Sequence, residues 1–316
     1  HAAPMFHLAD MASTYAVTLA GGAHRFAPRF VPQEIGEIVE NEKVTHLLLV
    51  PTMLNALIND PNALARDLSS LKRMLYGASP MPEAVLIKAM EVLPNVGFVQ
   101  GYGQTEASPL ITTLQPEYHV LTGRKSGKLT SAGQAALGVQ VNVMSLDLEE
   151  LPRGDIGEIC ARGANVMQGY WGLEDATSEA LRGGWLHTGD MGYMDDDGFV
   201  FLVDRAKDMI ISGGENIYSI EVEDAIYKHP AVRECAVIGI PSEKWGETVH
   251  AIVVLKDKET LDESTLIEHC REYIAGYKCP RSIVITDKPL PISGAGKILK
   301  NELRKPWWEG RDKSVN

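Results

Sequence analysis

Residues 73–106 read RMLYGASPMPEAVLIKAMEVLPNVGFVQGYGQTE. Two apolar runs, RMLY and VGFVQ, flank a helical stretch from 83 to 91, and each run opens directly into a glycine turn, GASP or GYGQTE. Strands that alternate with helices build a parallel sheet, and ligands of such sheets gather where the strands end. Both glycine turns fall at such ends.

Upstream the same alternation holds. Ile35, Ile38 and Val39 recur at helical spacing, and THLLLVP then supplies an apolar run closed by Pro51, which reads as a helix followed by a buried strand. Downstream, from about 122 to 203, the texture changes to short runs, VQVNVMSLD, GEICARG and GFVFLVD, broken by glycine, proline and aspartate. That texture predicts an antiparallel or barrel-like section. After Asp204 come a short strand at DMII, a helix from about 220 to 229 stopped by Pro230, strands at ECAVIGI and VHAIVVL, and a second helix. Asp262 is the expected N-cap of that helix, Leu266, Ile267, Cys270, Tyr273 and Ile274 form its apolar stripe, and Gly276 lies just past its end. The expected architecture is α/β. A parallel-sheet subdomain (1–121) and a β-rich, barrel-like subdomain (122–203) form part of one large domain, and a small C-terminal α+β domain (204–316) follows.

A chain of 316 residues is long enough for two or three domains. Its 42 acidic residues against 30 lysines and arginines leave a formal net charge of -12, which repels nucleic acid and anionic membrane over long range. Small anions are not excluded, because local cations and helix N-termini hold phosphate inside acidic proteins. The four cysteines lack C-x-x-C spacing, which argues against a zinc site or a disulfide framework and fits a reducing, cytoplasmic setting. No apolar run reaches the about 18 residues of a membrane span. The sequence opens on His1 rather than Met, so a fragment of a longer protein is expected. Oligomeric state is not legible, and a homo-oligomer stays open.

Four clusters carry candidate chemistry, and each alone has an ordinary reading. GYGQTE is a strand exit with a helix cap, or a site where Tyr102 offers a ring to a base, Thr105 a hydroxyl to phosphate and Glu106 a carboxylate to magnesium. HTGD at 187–190 is a β-turn whose aspartate accepts backbone hydrogen bonds, or a carboxylate for ribose hydroxyls. His187 by itself reads as a partly exposed loop histidine, and HTGD lacks the second histidine that helical metal motifs carry. PISGAGKILK at 291–300 fails as a P-loop: Pro291 stands where the first glycine belongs, and Ile298 follows Lys297 where a hydroxyl is needed.

Taken together, GYGQTE, GWLHTGD (184–190), DRAKDMIISGGENIY (204–218) and PISGAGKILKNELR (291–304) occur in the order, and at about the spacing, found in adenylate-forming acyl-CoA synthetases. The chain resembles that superfamily over most of its length. PMFHLAD near the start and VMQGYW at 166–171 add to the likeness. The resemblance implies two half-reactions. A carboxylate attacks the α-phosphate of ATP to give acyl adenylate and pyrophosphate, and the thiol of coenzyme A then takes the acyl group. By the family pattern Gly77, Ala78, Ser79, Tyr102 and Gly103 border the adenine nucleotide, Thr105 meets phosphate, Glu106 holds magnesium, and Asp190 and Arg205 hold ribose. Lys297 is the cation at the reacting carboxylate, and Lys207 falls at the hinge of a mobile last domain. Ser212, Gly213 and Gly214 line the thiol side, and His7 borders the acyl pocket. The implied substrate is a fatty or aryl acid, with ATP, Mg2+ and coenzyme A.

One family feature does not occur in these residues. Relatives carry a Ser/Thr/Gly-rich phosphate loop ending in Pro-Lys upstream of the Pro-x-x-His segment, and the sequence opens after that point. Transfer to a carrier protein and a non-catalytic nucleotide-binding remnant are the alternative readings.

Overall fold

The computed structural model describes residues 1–294 and 296–309. They form two compact units, 1–202 with 294–297, and 203–293 with 298 onward.

In the first unit α1 (Leu8–Leu19) and α2 (Pro32–Glu42) precede β1 (His46–Leu49), then α3 (Pro51–Asn59), the single turn α4 (Pro61–Leu64), β2 (Arg73–Gly77), α5 (Glu83–Val92) and β3 (Gly97–Tyr102). Proline at the first position starts α2, α3 and α4, where a missing N–H costs nothing. The Asp60 carboxylate caps α4 by accepting from Asn62 and Ala63. β1, β2 and β3 are parallel, as the helix-strand alternation predicts. β4 (Thr112–Leu114) and β5 (Gln134–Ala135) extend the sheet antiparallel, leaving the four-residue β1 as its other edge.

β6 (Val139–Met144), β7 (Gly157–Gly163), α6 (Glu174–Ala180), β8 (Leu186–Met194) and β9 (Val200–Arg205) complete this part of the chain. The four strands make an open antiparallel sheet in sequential order, which corrects the barrel-like expectation. Alternating apolar positions predicted the strands, but closure depends on strand number and stagger, which no local pattern carries. Val141, Val143, Ile159, Ala161 and Val200 of this sheet share a core with Tyr102 and Ile111 of the parallel-sheet region.

In the second unit β10 (Ile210–Ser212) and β11 (Glu215–Ile217) form a hairpin, followed by α7 (Ser219–Tyr227), β12 (Val232–Ser242), β13 (Gly246–Leu255), α8 (Glu263–Arg271), β14 (Ser282–Thr286) and α9 (Lys300–Trp308). β12 and β13 pair along their length and are buried on both faces. Cys235, Val237, Val249, Ala251 and Val253 pack toward residues of α7 and α8, including Val222, Ile226 and Leu266. The alternate residues Ala236, Ile238, Ile252 and Val254 pack with Leu290, Ile298 and Leu303. Two buried faces explain why both strands read as continuous apolar runs rather than alternating ones. Asp262 caps α8 as expected, accepting from Thr265 N at 2.9 Å, but the helix ends at Arg271, short of Tyr273 and Ile274. Among the described residues no helix is long and apolar enough to cross a membrane.

Candidate functional site

The ends of β2 and β3 lie side by side, Gly77 opposite Gly101. A Cβ on Gly77 would sit 2.1 Å from the Gly101 carbonyl oxygen, so only glycine lets the two strand ends close up. The next residue, Ala78, takes φ +71°, a left-handed conformation that costs a residue with a side chain about 1–2 kcal/mol. Strain held at the end of a parallel strand marks a place where the backbone shape itself is used. Ala78 is exposed and Ser79 half-buried.

β3 ends at Tyr102, whose ring lies in the core while its hydroxyl donates to Asp190 Oδ2 at 2.8 Å. Both residues are at most 9% exposed. This bond ties the end of the parallel sheet to β8, across 88 residues of chain. After Gly103 comes the 3-10 turn Thr105–Ala107, in which Thr105 is exposed and Glu106 half-buried. The VMQGYW segment holds this turn: Met167 N donates to the Glu106 carbonyl at 2.8 Å, and the Tyr170 hydroxyl donates to Glu106 Oε1 at 2.8 Å. Asn165 Nδ2 donates to the carbonyls of Ala107 and Leu110. Burial, reinforced by the Glu106 carboxylate, pushes the Tyr170 pKa up. A carboxylate presented on a turn suits magnesium, which takes one or two protein carboxylates together with phosphate oxygens.

HTGD is not a loop. It lies inside β8 with His187, Thr188 and Asp190 buried, which corrects the expectations of a turn and of a partly exposed histidine. The partner that buries it, Glu158 of β7, is remote in sequence. His187 Nδ1 lies 2.7 Å from Glu158 Oε2, Gly189 N donates to Glu158 Oε1 at 2.9 Å, and Arg182 Nη2 donates to Oε2 at 2.9 Å. Thr188 Oγ1 donates to the Ile159 carbonyl and accepts from Asp190 N. Cys160 Sγ stands 3.4 Å from His187 Nδ1, so Glu158, Cys160 and His187 bring metal-capable atoms within 4.8 Å of one another. Hydrogen-bond distances and the Arg182 charge already occupy both Glu158 oxygens, and burial pushes the Cys160 thiol up to about 12. The cluster braces the strand that presents Asp190. Glu158 and Cys160 escaped the sequence reading because nothing near them in the chain signals their partner.

His7 immediately precedes α1, with its ring 4.5 Å from that of Phe6. The Phe6 ring also lies 3.8 Å from where a Gly294 side chain would begin. Residues 294–297 group with the first unit, the Thr52 hydroxyl donating to the Gly296 carbonyl at 2.8 Å, and Lys297 is exposed.

The second unit holds the other candidates. Arg205 and Lys207 are exposed and follow the buried Asp204, whose carboxylate accepts from the backbone N–H groups of Arg205 and Ser219. Ser212 and Glu215 close a two-residue hairpin turn made of Gly213 (φ +64°) and Gly214 (φ +88°), a geometry that needs left-handed residues at both positions. A Cβ on Gly213 would meet the Trp245 ring at 2.8 Å, and Gly213 N donates to the Trp245 carbonyl. Lys244 and Arg281 stand over that ring, at 4.6 and 4.9 Å from its centroid. The sequence reading passed over this aromatic and cationic group because its members are scattered along the chain. Asp190 and Arg205, both assigned to ribose, thus belong to different units.

Comparison with known proteins fits this layout. Residues 1–171 match the AMP-binding enzyme family and residues 221–297 the AMP-binding enzyme C-terminal domain. The chain is 43% identical over 305 residues to a feruloyl-CoA synthase of an Amycolatopsis species, covering 96% of this chain and 60% of the relative. It is 39% identical over 304 residues to the medium/long-chain-fatty-acid–CoA ligase FadD8 of Mycobacterium tuberculosis, covering 94% and 52%. The structure of o-succinylbenzoate CoA synthetase from Bacillus subtilis, in complex with its acyl-adenylate intermediate, superposes with a TM-score of 0.82 at 34% identity, over 96% of this chain and 60% of that one. The chain therefore spans about 60% or less of the length of these relatives. With family models matching residues 1–171 and 221–297 and relatives alike over nearly its whole length, the chain belongs to the AMP-binding enzyme family of adenylate-forming enzymes.

Proposed function

We propose that the protein activates a fatty or aryl carboxylic acid with ATP and passes the acyl group to coenzyme A. The observation that carries this reading is the buried Tyr102–Asp190 hydrogen bond, which sets a ring and a carboxylate beside the Gly77–Ser79 strand end, a combination suited to a nucleoside. The two acid classes come from the relatives' names, one for a feruloyl and one for a medium/long-chain fatty substrate.

In this reading Tyr102 and the backbone of Gly77, Ala78, Ser79 and Gly103 border adenine, and Asp190 and Arg205 accept and donate at the ribose. Thr105 meets a phosphate, and Glu106, oriented by Tyr170, holds magnesium, which when bound neutralises phosphate charge. The acid's carboxylate oxygen attacks the α-phosphorus, and the bond to pyrophosphate breaks. Lys297 places its ammonium where negative charge gathers on the carboxylate and α-phosphate oxygens, a form of electrostatic stabilisation that needs position rather than bond making. A rotation at Lys207 then replaces the lysine with the thiol side, where Ser212, Gly213 and Gly214 lie beside Trp245. The thiol sulfur attacks the acyl carbon, and AMP leaves with the oxygen it received from the acid. His7 borders the acid.

The test incubates the protein with ATP, magnesium and coenzyme A against short aliphatic, long-chain and aryl acids, with thioesters identified by mass spectrometry and AMP binding measured by calorimetry. Acyl-CoA from a fatty or aryl acid is expected. AMP binding without adenylate from any acid would overturn the catalytic reading in favour of a nucleotide-binding remnant. Adenylate that reacts only with a carrier protein would overturn the choice of acceptor.

A further inference from the structure

The second unit contains two largely buried, ion-paired cations on one helix that the reaction described above does not use. Lys300 and Arg304 stand four residues apart on α9 and so project from one side of the helix. Lys300 Nζ donates to Glu223 Oε1 at 2.7 Å and to Ser219 Oγ at 2.6 Å. Only 16% of the Lys300 side chain and 14% of that of Glu223 remain exposed. Glu223 Oε1 also accepts from Val237 N at 2.8 Å, and Ser219 N donates to Asp204 Oδ2. Arg304 Nη1 donates to Asp208 Oδ1 at 2.8 Å and reaches the Lys207 carbonyl at 3.4 Å, while Nη2 reaches the Asp208 carbonyl at 3.3 Å. One helix therefore grips segment 204–208 at both ends, through Ser219 at Asp204 and directly at Lys207 and Asp208.

The same helix begins where the lysine-bearing loop ends. Leu299 N donates to the Pro291 carbonyl at 2.8 Å and Ile298 pairs with Ile292, so 291–292 and 298–299 are joined at the base of the lysine-bearing segment. Ile298 and Leu303 pack with Leu290, Ile238 and Ile252, which fixes that base on the sheet. Burial pulls the Lys300 pKa down, but Glu223, Asp204 and Asp208 outweigh it and hold the ammonium protonated.

We infer that Lys300 and Arg304 are positioning residues that join the hinge segment 204–208 and the base of the Lys297 loop into one body, so that rotation at Lys207 carries the lysine with it. This rests on the reading of Lys297 and Lys207 given above. A loosely held loop would still carry the lysine but would not place it, and a misplacement near 1 Å costs about 100-fold in rate.

The test compares Lys297→Ala, Arg304→Met, Lys300→Arg and the paired change Lys300→Met with Glu223→Gln, which avoids leaving a lone buried carboxylate. Adenylation is followed by acid-dependent exchange of pyrophosphate into ATP, and exchange of the Leu299 amide by NMR. The paired variant and Arg304→Met are expected to lower kcat by about 100-fold with KM for ATP and acid within about twofold, Lys300→Arg to recover most of it, and Leu299 exchange to accelerate at least about tenfold in the paired variant. A paired variant with wild-type kcat beside an inactive Lys297→Ala overturns the positioning role and leaves the reading of Lys297 intact. Full activity in Lys297→Ala overturns that reading itself. Unchanged Leu299 exchange overturns the coupling whatever the activity.

Discussion

Replacing Tyr102 by phenylalanine removes one oxygen and leaves the ring in its core of Ile111, Val141, Ile159 and Val200. What is lost is a 2.8 Å bond to the Asp190 carboxylate, between residues 9% and 8% exposed. A hydrogen bond to a charged group in such surroundings contributes about 1.5–3 kcal/mol, against about 1 kcal/mol for a neutral pair. The ring still fills its volume, so no cavity adds to the cost. Asp190 keeps its backbone N–H on Thr188 Oγ1, so β8 stays in register. A double-mutant cycle with Asp190→Ala isolates the pair, because an asparagine would keep an oxygen that accepts from the tyrosine. Urea unfolding at pH 7 is expected to show Tyr102→Phe destabilised by about 1.5–3 kcal/mol with an unchanged m-value, and a coupling energy of about 1 kcal/mol or more. Calorimetry is expected to show weaker AMP binding in the same variant, because the carboxylate is no longer aimed. A coupling energy below about 0.5 kcal/mol, the range of independent sites, would refute the argument that this bond joins the two sheets.

Burial pushes the His119 pKa down to about 4, with the ring 2.8 Å from the Tyr76 hydroxyl and 3.0 Å from the Gln115 carbonyl. The folded value lies below the unfolded value of about 6.5, so its contribution is complete above pH 6.5 and is lost as pH falls toward 4, to a total of about 3 kcal/mol. Urea midpoints across that window should fall, and His119→Gln should flatten the slope; an equal slope in both proteins contradicts the assignment. Gly77→Ala drives a methyl group into the Gly101 carbonyl and should cost about 1–3 kcal/mol in thermal denaturation, together with AMP affinity; wild-type stability would mean that the strand ends can part freely. Lys297→Ala should remove adenylation while sparing thioester formation from preformed acyl adenylate, as single-turnover assays of the two halves can separate; equal loss in both would sink the assigned role.

Much of the fold was legible in runs that satisfy themselves locally. RMLYGASP and VGFVQGYG gave strands and turns at nearly the observed bounds, because an apolar run ending at glycine states both its burial and its exit. SGGE was read only as a glycine pair on the thiol side, although two left-handed residues between strands also make a hairpin turn. HTGD misled for a matching reason: threonine, glycine and aspartate have turn chemistry, and only Glu158, about 30 residues away, makes a buried strand of them. Helix α8 stopped at Arg271 although its apolar stripe ran on to Ile274.

By itself the sequence determined the helix-strand alternation of the parallel sheet, the two glycine-ended strands and the residue types of the proposed nucleotide site, because periodicity and turn chemistry act over a few neighbouring residues. Tertiary structure alone decided that Tyr102 would meet Asp190, that Glu158 would bury His187, and that Lys300 would find Glu223. Each pairing joins positions about 30 to 90 residues apart. Their meeting depends on which sheet faces pack and in what register, and no window of neighbouring residues carries that information.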